Sequence, residues 1–442
     1  MTPQDLPPIR QLRVFAAAAE AQSMSGAAKA INLSQPGVTQ SVRALERRVG
    51  DRLFERRGSG CYLTASGAIL LPRVHRFFDQ LRRALSEAGA IGSSGAPTSN
   101  IAVNRITGPQ IRTLIAVSES NSFGAAARLL KISEPSLHRA AKSLERELRR
   151  RLYQRTSRGV TTNAQGTEIA RRFQIALREL AYGVEELQAA RGNVVSRVVI
   201  GNIPHSGSQI LSSAINEFLA EYPTAIIQII DGHYDALLED LRAGKIDLLF
   251  GVLRRPAWAQ DVAEEVLFSN PYVIVGRVGH PLSGIRKLSL RDLARYDWIM
   301  PGPMTPRQQA FERIFVRLPA LPKISVETTY LQIYRDLLAT TDRLTLMSTL
   351  EAQLNERTKL AVLPFQSPEL RRSDGLAVRG DWQPTQIHRH FLKVLRMHAR
   401  RLSAGGLPQL RLVSADQAAE RQSGRPRTPL GRCGTCYGIM TA

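Results

Sequence analysis

Residues 9–67 recur, diverged but in register, at residues 108–166, 99 positions downstream and without a gap. Phe15-Ala-Ala-Ala-Ala-Glu20 returns as Leu114-Ile-Ala-Val-Ser-Glu119, and Ser23-Met-Ser-Gly-Ala-Ala28 as Ser122-Phe-Gly-Ala-Ala-Ala127. Ser41-Val-Arg-Ala-Leu-Glu46 matches Ala140-Ala-Lys-Ser-Leu-Glu145, and Leu53-Phe-Glu-Arg56 matches Leu152-Tyr-Gln-Arg155. One domain therefore occurs twice, and any fold proposed for the chain must accommodate both copies.

In the first copy Leu12, Phe15, Ala16 and Ala19 stand at helical spacing, which predicts a short amphipathic helix. Ser23 or Ser25 can cap a second helix over Gly26-Ala-Ala-Lys-Ala30. Ser34 reads as the N-cap of a third, with Pro36 near its first position, where a missing amide hydrogen costs nothing. Val38, Val42 and Leu45 form its inner stripe and leave Gln35, Thr39, Gln40 and Arg43 outside. Two short helices, a tight turn and a polar-faced third helix make a helix-turn-helix, whose last helix can enter the major groove. Amides and hydroxyls suit base edges, and Arg43 suits a base or a phosphate. An ordinary solvated helix also shows such a face. The stretch Leu53–Thr64 favours DNA, because it reads as two short strands around a Gly-rich tip, a wing that can lay Arg56 and Arg57 on phosphates.

With Ala27-Ala28, Ser34-Gln-Pro36, Leu45-Glu46, Leu53-Phe-Glu-Arg56 and Leu63-Thr-Ala-Ser-Gly67, the first copy resembles the winged N-terminal domain of the LysR-type transcriptional regulators. The resemblance implies that Gln35, Pro36, Thr39 and Gln40 face DNA and that Arg56 belongs to the wing. The second copy keeps the frame but places Glu134 where Gln35 stands, followed by His138 and Arg139. A carboxylate there repels phosphate unless it accepts from a cytosine amine. Against that, Arg139, Lys142, Arg155 and their cationic neighbours are dense enough for phosphate binding. The second copy is thus a second reader or a spacer, and His138 a contact or an exposed bystander.

Charge is concentrated in the repeats. Residues 1–192 hold 29 Lys and Arg against 15 Asp and Glu, within a chain of net charge +22. Such an excess attracts a phosphate backbone but reads no sequence by itself. Gly89-Ala-Ile-Gly-Ser-Ser-Gly-Ala-Pro-Thr-Ser-Asn100 has the composition of a flexible linker. Ile69–Leu85 and Ile169–Leu187 each carry apolar residues at helical spacing. Both resemble the family's linker helix, which pairs two subunits; the alternative is a helix packed within its own chain.

Beyond Arg197 the pattern alternates: strands at Val198–Ile200, Ala225–Ile230 and Ile246–Gly251, helices at Ile210–Tyr222 and Tyr234–Ala243. That alternation predicts a parallel sheet covered on both faces. Tyr222-Pro223, Leu241-Arg-Ala-Gly-Lys-Ile-Asp247 and Gly279-His-Pro-Leu282 resemble the family's effector-binding domain, two α/β lobes similar to a periplasmic binding protein. Ligands of such sheets sit beyond the strand ends. His205 and Ser206, in the loop opening the first helix, can hold an anion there. The resemblance places Tyr234 and Thr305 comparably, although each also suits a helix start.

The expected architecture is multidomain: winged helix-turn-helix domains at 9–67 and 108–166, linker helices at 68–88 and 167–192, a flexible linker at 89–107, an effector-binding domain at 195–400 and a disordered tail at 403–442. No Gly-x-Ser-x-Gly elbow or His-Glu-x-x-His appears, and Cys433-Gly-Thr-Cys436 lacks a second pair, so neither catalysis, a metal nor a cofactor is expected. No apolar run is long enough to span a bilayer. The reading is a cytoplasmic, sequence-specific transcription regulator whose partners are promoter DNA, a small-molecule effector, further copies of itself as a dimer or tetramer, and RNA polymerase. The competing class is an architectural DNA-binding protein whose lobes serve assembly only, distinguishable by equal affinity for promoter and random DNA.

Overall fold

The computed structural model describes residues 7–58, 60–87, 103–157, 159–192, 196–203, 207–254, 259–303, 305–353 and 360–404. The linker Gly89–Asn100, the pair His205 and Ser206, and Cys433 and Cys436 lie outside the described residues. Two compact units divide the chain: residues 1–268 with 374–402, and residues 269–373 with the remainder.

The first copy builds α1 (Ile9–Ala21), α2 (Met24–Ala30) and α3 (Gln35–Val49), followed by a hairpin of β1 (Phe54–Arg57) and β2 (Gly60–Leu63) and then α4 (Ala65–Glu87). Of the two candidate caps for α2 it is Ser23 that accepts from the Gly26 amide, at 3.2 Å. Ser34 caps α3 through the Gly37 amide, with Pro36 in the first turn and Val38, Val42 and Leu45 buried as the spacing requires. The helix stops at Gly50, whose φ of 74° suits a residue without Cβ.

The second copy repeats this as α5 (Gly108–Ser120), α6 (Phe123–Leu130), α7 (Glu134–Leu148), β3 (Tyr153–Thr156), β4 (Gly159–Thr162) and α8 (Ala164–Ala190). Internal contacts repeat as well. Glu46 accepts from the Leu53 amide at 2.8 Å, and Glu145 from the Leu152 amide at 2.7 Å, so each third helix is tied to its own wing by the same carboxylate. A Cβ added to Gly67 would stand 2.2 Å from the Leu53 carbonyl oxygen, and one on Gly166 2.2 Å from that of Leu152. Glycine is obligatory at both because helix and wing backbone meet there.

The linker helices α4 and α8 pack antiparallel along each other within one chain. Arg73 reaches Glu179 at 2.9 Å and Glu186 at 2.7 Å, Arg76 reaches Glu179 at 3.0 Å, and further along Arg172 reaches Gln80 at 3.5 Å. Between them Leu70, Val74, Phe77 and Leu81 share one apolar core with Ile169, Phe173, Ala176 and Leu180. Each fully buried Phe stabilises the pair by about 1.5–3 kcal/mol. The pairing resembled in the sequence thus occurs, but in cis: the helix partnered by the first linker helix is the second linker helix of its own chain.

The same unit contains a five-stranded sheet in the order β6-β5-β7-β14-β8, made of β5 (Arg197–Asn202), β6 (Ile226–Asp231), β7 (Leu248–Val252), β8 (Val262–Ser269) and β14 (Ser373–Arg379). Helices α9 (Ser208–Glu221), α10 (Tyr234–Arg242) and α15 (Gln386–Ala404) accompany it. The sheet departs from the expected all-parallel one. β5, β6 and β7 are parallel, but β14 runs antiparallel to β7. β14 arrives from the second unit, not over a crossover helix, so nothing imposes a parallel direction. Nor is the sheet covered throughout, since the edge strand β6 leaves Ile226 and Ile229 exposed. Helix α15 runs on through Ser403 and Ala404, which the sequence assigned to the tail.

A buried polar cluster joins α8 to this sheet. Asp247, fully buried, accepts from the Arg178 guanidinium at 3.1 Å, the Tyr182 hydroxyl at 2.5 Å and the Val199 amide at 2.8 Å, with His388 Nε2 at 3.2 Å. Burial alone would raise its pKa, but the Arg178 charge, His388 and the Tyr182 hydrogen bond outweigh it and hold the carboxyl well below the usual range.

The second unit holds β9 (Tyr272–Arg277), α11 (Leu290–Leu293), β10 (Trp298–Met300), α12 (Pro306–Phe315), β11 (Ile324–Glu327), α13 (Leu331–Thr340), β12 (Thr345–Ser348), α14 (Thr349–Gln353) and β13 (Leu360–Val362). β9 lies between β12 and β13, antiparallel to both, while β10 and β11 form a parallel pair. Trp298, Phe311 and Phe315 pack edge to face in its core, and Arg307 is buried against Glu351.

Candidate nucleic-acid interface and effector domain

On α3 the Val38, Val42 and Leu45 stripe turns inward, so Gln35, Pro36, Gln40 and Arg43 are exposed and Thr39 half-buried. These residues and Arg47 line one open groove along the helix. The Thr39 hydroxyl donates to the Gln35 carbonyl at 3.1 Å, leaving its methyl and oxygen lone pair available outward. Arg56 sits on β1 opposite Cys61, in the wing that follows.

On α7 the equivalent face carries His138, Arg139 and Lys142, all exposed. His138 rests its ring against Phe123, 4.5 Å between centroids, and Arg139 donates to the Ser136 hydroxyl at 3.0 Å. Arg139 and Lys142 line a second groove with Arg146 and Arg149. Arg155 is exposed on β3. Glu134, the residue that distinguished this copy, folds back: a Cβ on Gly124 would stand 3.0 Å from its Oε1 and 3.7 Å from the Arg128 guanidinium. Its negative charge therefore lies beside α6 and a cation, and the forward face of α7 is cationic.

Equivalent residues meet where each head joins its own linker helix. His75 Nε2 lies 3.5 Å from Glu20, and its counterpart Gln174 donates to Glu119, the counterpart of Glu20, at 2.8 Å. In the sequence Glu46 and Asp247 stand within motifs but carry no assigned contact, and Arg73 and Glu179 lie in the linker helices without a role. The retention of Glu20 as Glu119 and of Glu46 as Glu145 at the repeat spacing was the available signal.

Of the effector candidates, Tyr234 opens α10 at the end of β6, buried. Its hydroxyl donates to Glu264 at 3.0 Å, and the Arg254 guanidinium lies 4.9 Å from its ring centroid. Burial and the Glu264 charge push the phenol pKa up. Thr305 is the N-cap of α12, accepting from the Gln308 amide at 3.2 Å and donating to the Gly302 carbonyl. Gly207, at φ 61°, opens α9 without a side-chain cap. His205 and Ser206 precede it, outside the described residues. Among the described residues no group of three or more His, Cys, Asp or Glu is placed to hold a metal ion, and no helix is long and apolar enough to cross a membrane.

Two winged helix-turn-helix heads joined to a two-lobed α/β domain define a DNA-binding regulator with a ligand-sensing module. Residues 191–400 match the LysR substrate binding domain, and residues 9–68 and 109–167 each match the bacterial regulatory helix-turn-helix protein, lysR family. The chain is 30% identical over 377 residues to the HTH-type transcriptional regulator GalR of Pseudomonas putida, covering 85% of this chain and 93% of that protein. It is 28% identical over 305 residues to the HTH-type transcriptional regulator PcaQ of Agrobacterium fabrum, covering 68% and 97%. Full-length OxyR of Pseudomonas aeruginosa shares the fold at TM-score 0.51 and 20% identity, over 66% of this chain and 94% of that one. The chain belongs to the LysR family of transcriptional regulators. It is a sequence-specific DNA-binding transcription regulator controlled by a small-molecule effector.

Proposed function

We propose that both heads read DNA: the first through Gln35, Pro36, Thr39, Gln40 and Arg43 with Arg56 in its wing, the second through His138, Arg139 and Lys142 with Arg155. The supporting observation is that α7 turns His138, Arg139 and Lys142 outward from the same frame that presents α3, while the exposed Glu134 carboxylate lies beside Gly124 and near the Arg128 guanidinium. A spacer has no need of this arrangement. The effector binds in the α/β domain, with His205, Ser206 and the amides opening α9 receiving an anionic group, and Tyr234 and Thr305 at the starts of their helices. The proposed division keeps the effector module at 195–400, but the flexible linker is shorter than 89–107, since residues 103–105 are helical and Val103 and Ile106 are buried in the core of the first unit. The protein performs no catalysis, works in the cytoplasm and hands its signal to RNA polymerase.

Binding to genomic fragments at moderate salt tests this, comparing wild type with Gln35→Ala plus Arg56→Ala and with His138→Ala plus Arg155→Ala. Loss of site preference in both variants is expected. Loss in the first alone makes the second head a spacer, and sequence-blind binding by wild type favours the architectural protein.

A further inference from the structure

The repeat register, laid over the linker-helix pair, exposes an internal two-fold. Arg73 of α4 and Arg172 of α8 are equivalent positions, and so are Gln80 and Glu179. Arg73 contacts Glu179, and Arg172 contacts Gln80. Residue i of one copy meets residue j of the other, and j meets i, which is the signature of an isologous pair. Here it is closed within one chain. The heads hang from these helices by equivalent contacts, His75 with Glu20 and Gln174 with Glu119, so the same two-fold relates them.

Helix-turn-helix pairs related by a two-fold read inverted half-sites in successive major grooves, and operator symmetry mirrors protein symmetry. The symmetry here stops at the side chains. Where the first head presents Gln35, Thr39, Gln40 and Arg43, the second presents Glu134, His138, Arg139 and Lys142, with Glu134 turned back over Gly124. Gln pairs with adenine N6 and N7, and Thr suits the thymine methyl; Arg and Lys pair with guanine O6 and N7.

Resting on the reading that both third helices contact DNA, we infer that a single chain occupies a complete pair of inverted half-sites, and that the halves are unlike. The half under α3 is richer in A·T, and the half under α7 presents guanine to His138, Arg139 and Lys142. Self-association then joins units that are each already two-headed, and the operator has a fixed polarity that a homodimer of one-headed subunits cannot impose.

Selection of sites from a random DNA library by the full-length chain tests this, followed by affinity for the selected site, for a version with either half duplicated into a palindrome, and by the mass of the complex. The inference predicts two unlike halves, one chain per pair, and at least a tenfold loss on either palindrome. Thr39→Ala plus Gln40→Ala should relax the first half alone, and His138→Ala plus Lys142→Ala the second alone. All four side chains lie on outward helix faces, and the palindromic DNAs require no variant. A palindromic selected site, two chains per pair of halves, or either variant relaxing both halves overturns it. A library that yields no enriched sequence instead removes the reading on which the inference rests.

Discussion

Arg73 donates to Glu179 in the linker pair, and Arg172, which occupies the place of Arg73 in the second copy, donates to Gln80, which occupies the place of Glu179. The amide at position 80 has a physical reason. While its oxygen accepts from Arg172, Gln80 Nε2 donates to Asp381 at 2.8 Å, which a carboxylate cannot do. Glu179 faces two guanidiniums, those of Arg73 and Arg76, and needs the charge.

Opposite outcomes follow for exchanges at equivalent positions. Glu179→Gln leaves Arg73, at 7% side-chain exposure, with Glu186 but without the second of its two carboxylate partners, and should cost about 1–3 kcal/mol. Gln80→Glu sets a second carboxylate against Asp381 and should cost about 1–3 kcal/mol. Urea unfolding of the full chain checks both. A stabilising Gln80→Glu would mean that Asp381 does not use the amide.

Gly67→Ala and Gly166→Ala should be comparably severe, because each Cβ would stand 2.2 Å from a carbonyl oxygen across the helix–wing junction. Overpacking of this kind costs about 1–3 kcal/mol or more. Thermal melts of the two variants should fall together; a silent variant would show that one junction differs from the other.

The caps should separate the heads. Ser34 accepts from the Gly37 amide, whereas the Ser133 hydroxyl donates to Ser136 and makes no cap hydrogen bond. Ser34→Ala is expected to cost about 1 kcal/mol. Ser133→Ala should cost less, and denaturant midpoints in the reverse order would contradict the assignment.

Asp247 carries a pH signature. Its folded pKa is depressed, so its contribution is fully present above the unfolded value of about 3.9 and is lost as pH falls below it. Asp247→Asn, which leaves Arg178 with Glu185 as a carboxylate partner but without the fully buried one, should cost about 1–3 kcal/mol at neutral pH. The gap between wild type and variant should narrow below about pH 4. A gap unchanged at pH 3 would show that the carboxylate is not what stabilises the cluster.

Helices α1 to α3 and the wings were legible because the repeat states each pattern twice, and because Ser34, Pro36 and the Val38–Val42–Leu45 stripe act through local chemistry. Strands β5 to β7 were legible from continuous apolar runs. The direction of β14 was not, since it depends on a chain returning from another unit, which no local pattern records. Whether α4 and α8 pair in cis or between subunits stayed open for a related reason. An apolar stripe states that a partner exists and is silent on whether that partner is the same chain. The backward turn of Glu134 depends on the space above Gly124, a tertiary fact.

Spin labels at Ser86, near the end of α4, and Ala164, at the start of α8, test the in-cis pair most directly, with Cys61, Cys433 and Cys436 replaced by serine. Both sites are exposed, and antiparallel packing brings them to the same end of the pair. The dipolar signal of full-length protein should keep its depth and distance when labelled chains are diluted tenfold with unlabelled ones. A short-distance signal that falls in proportion to the dilution would mean that the linker helices pair between subunits, and would contradict the two-headed single chain.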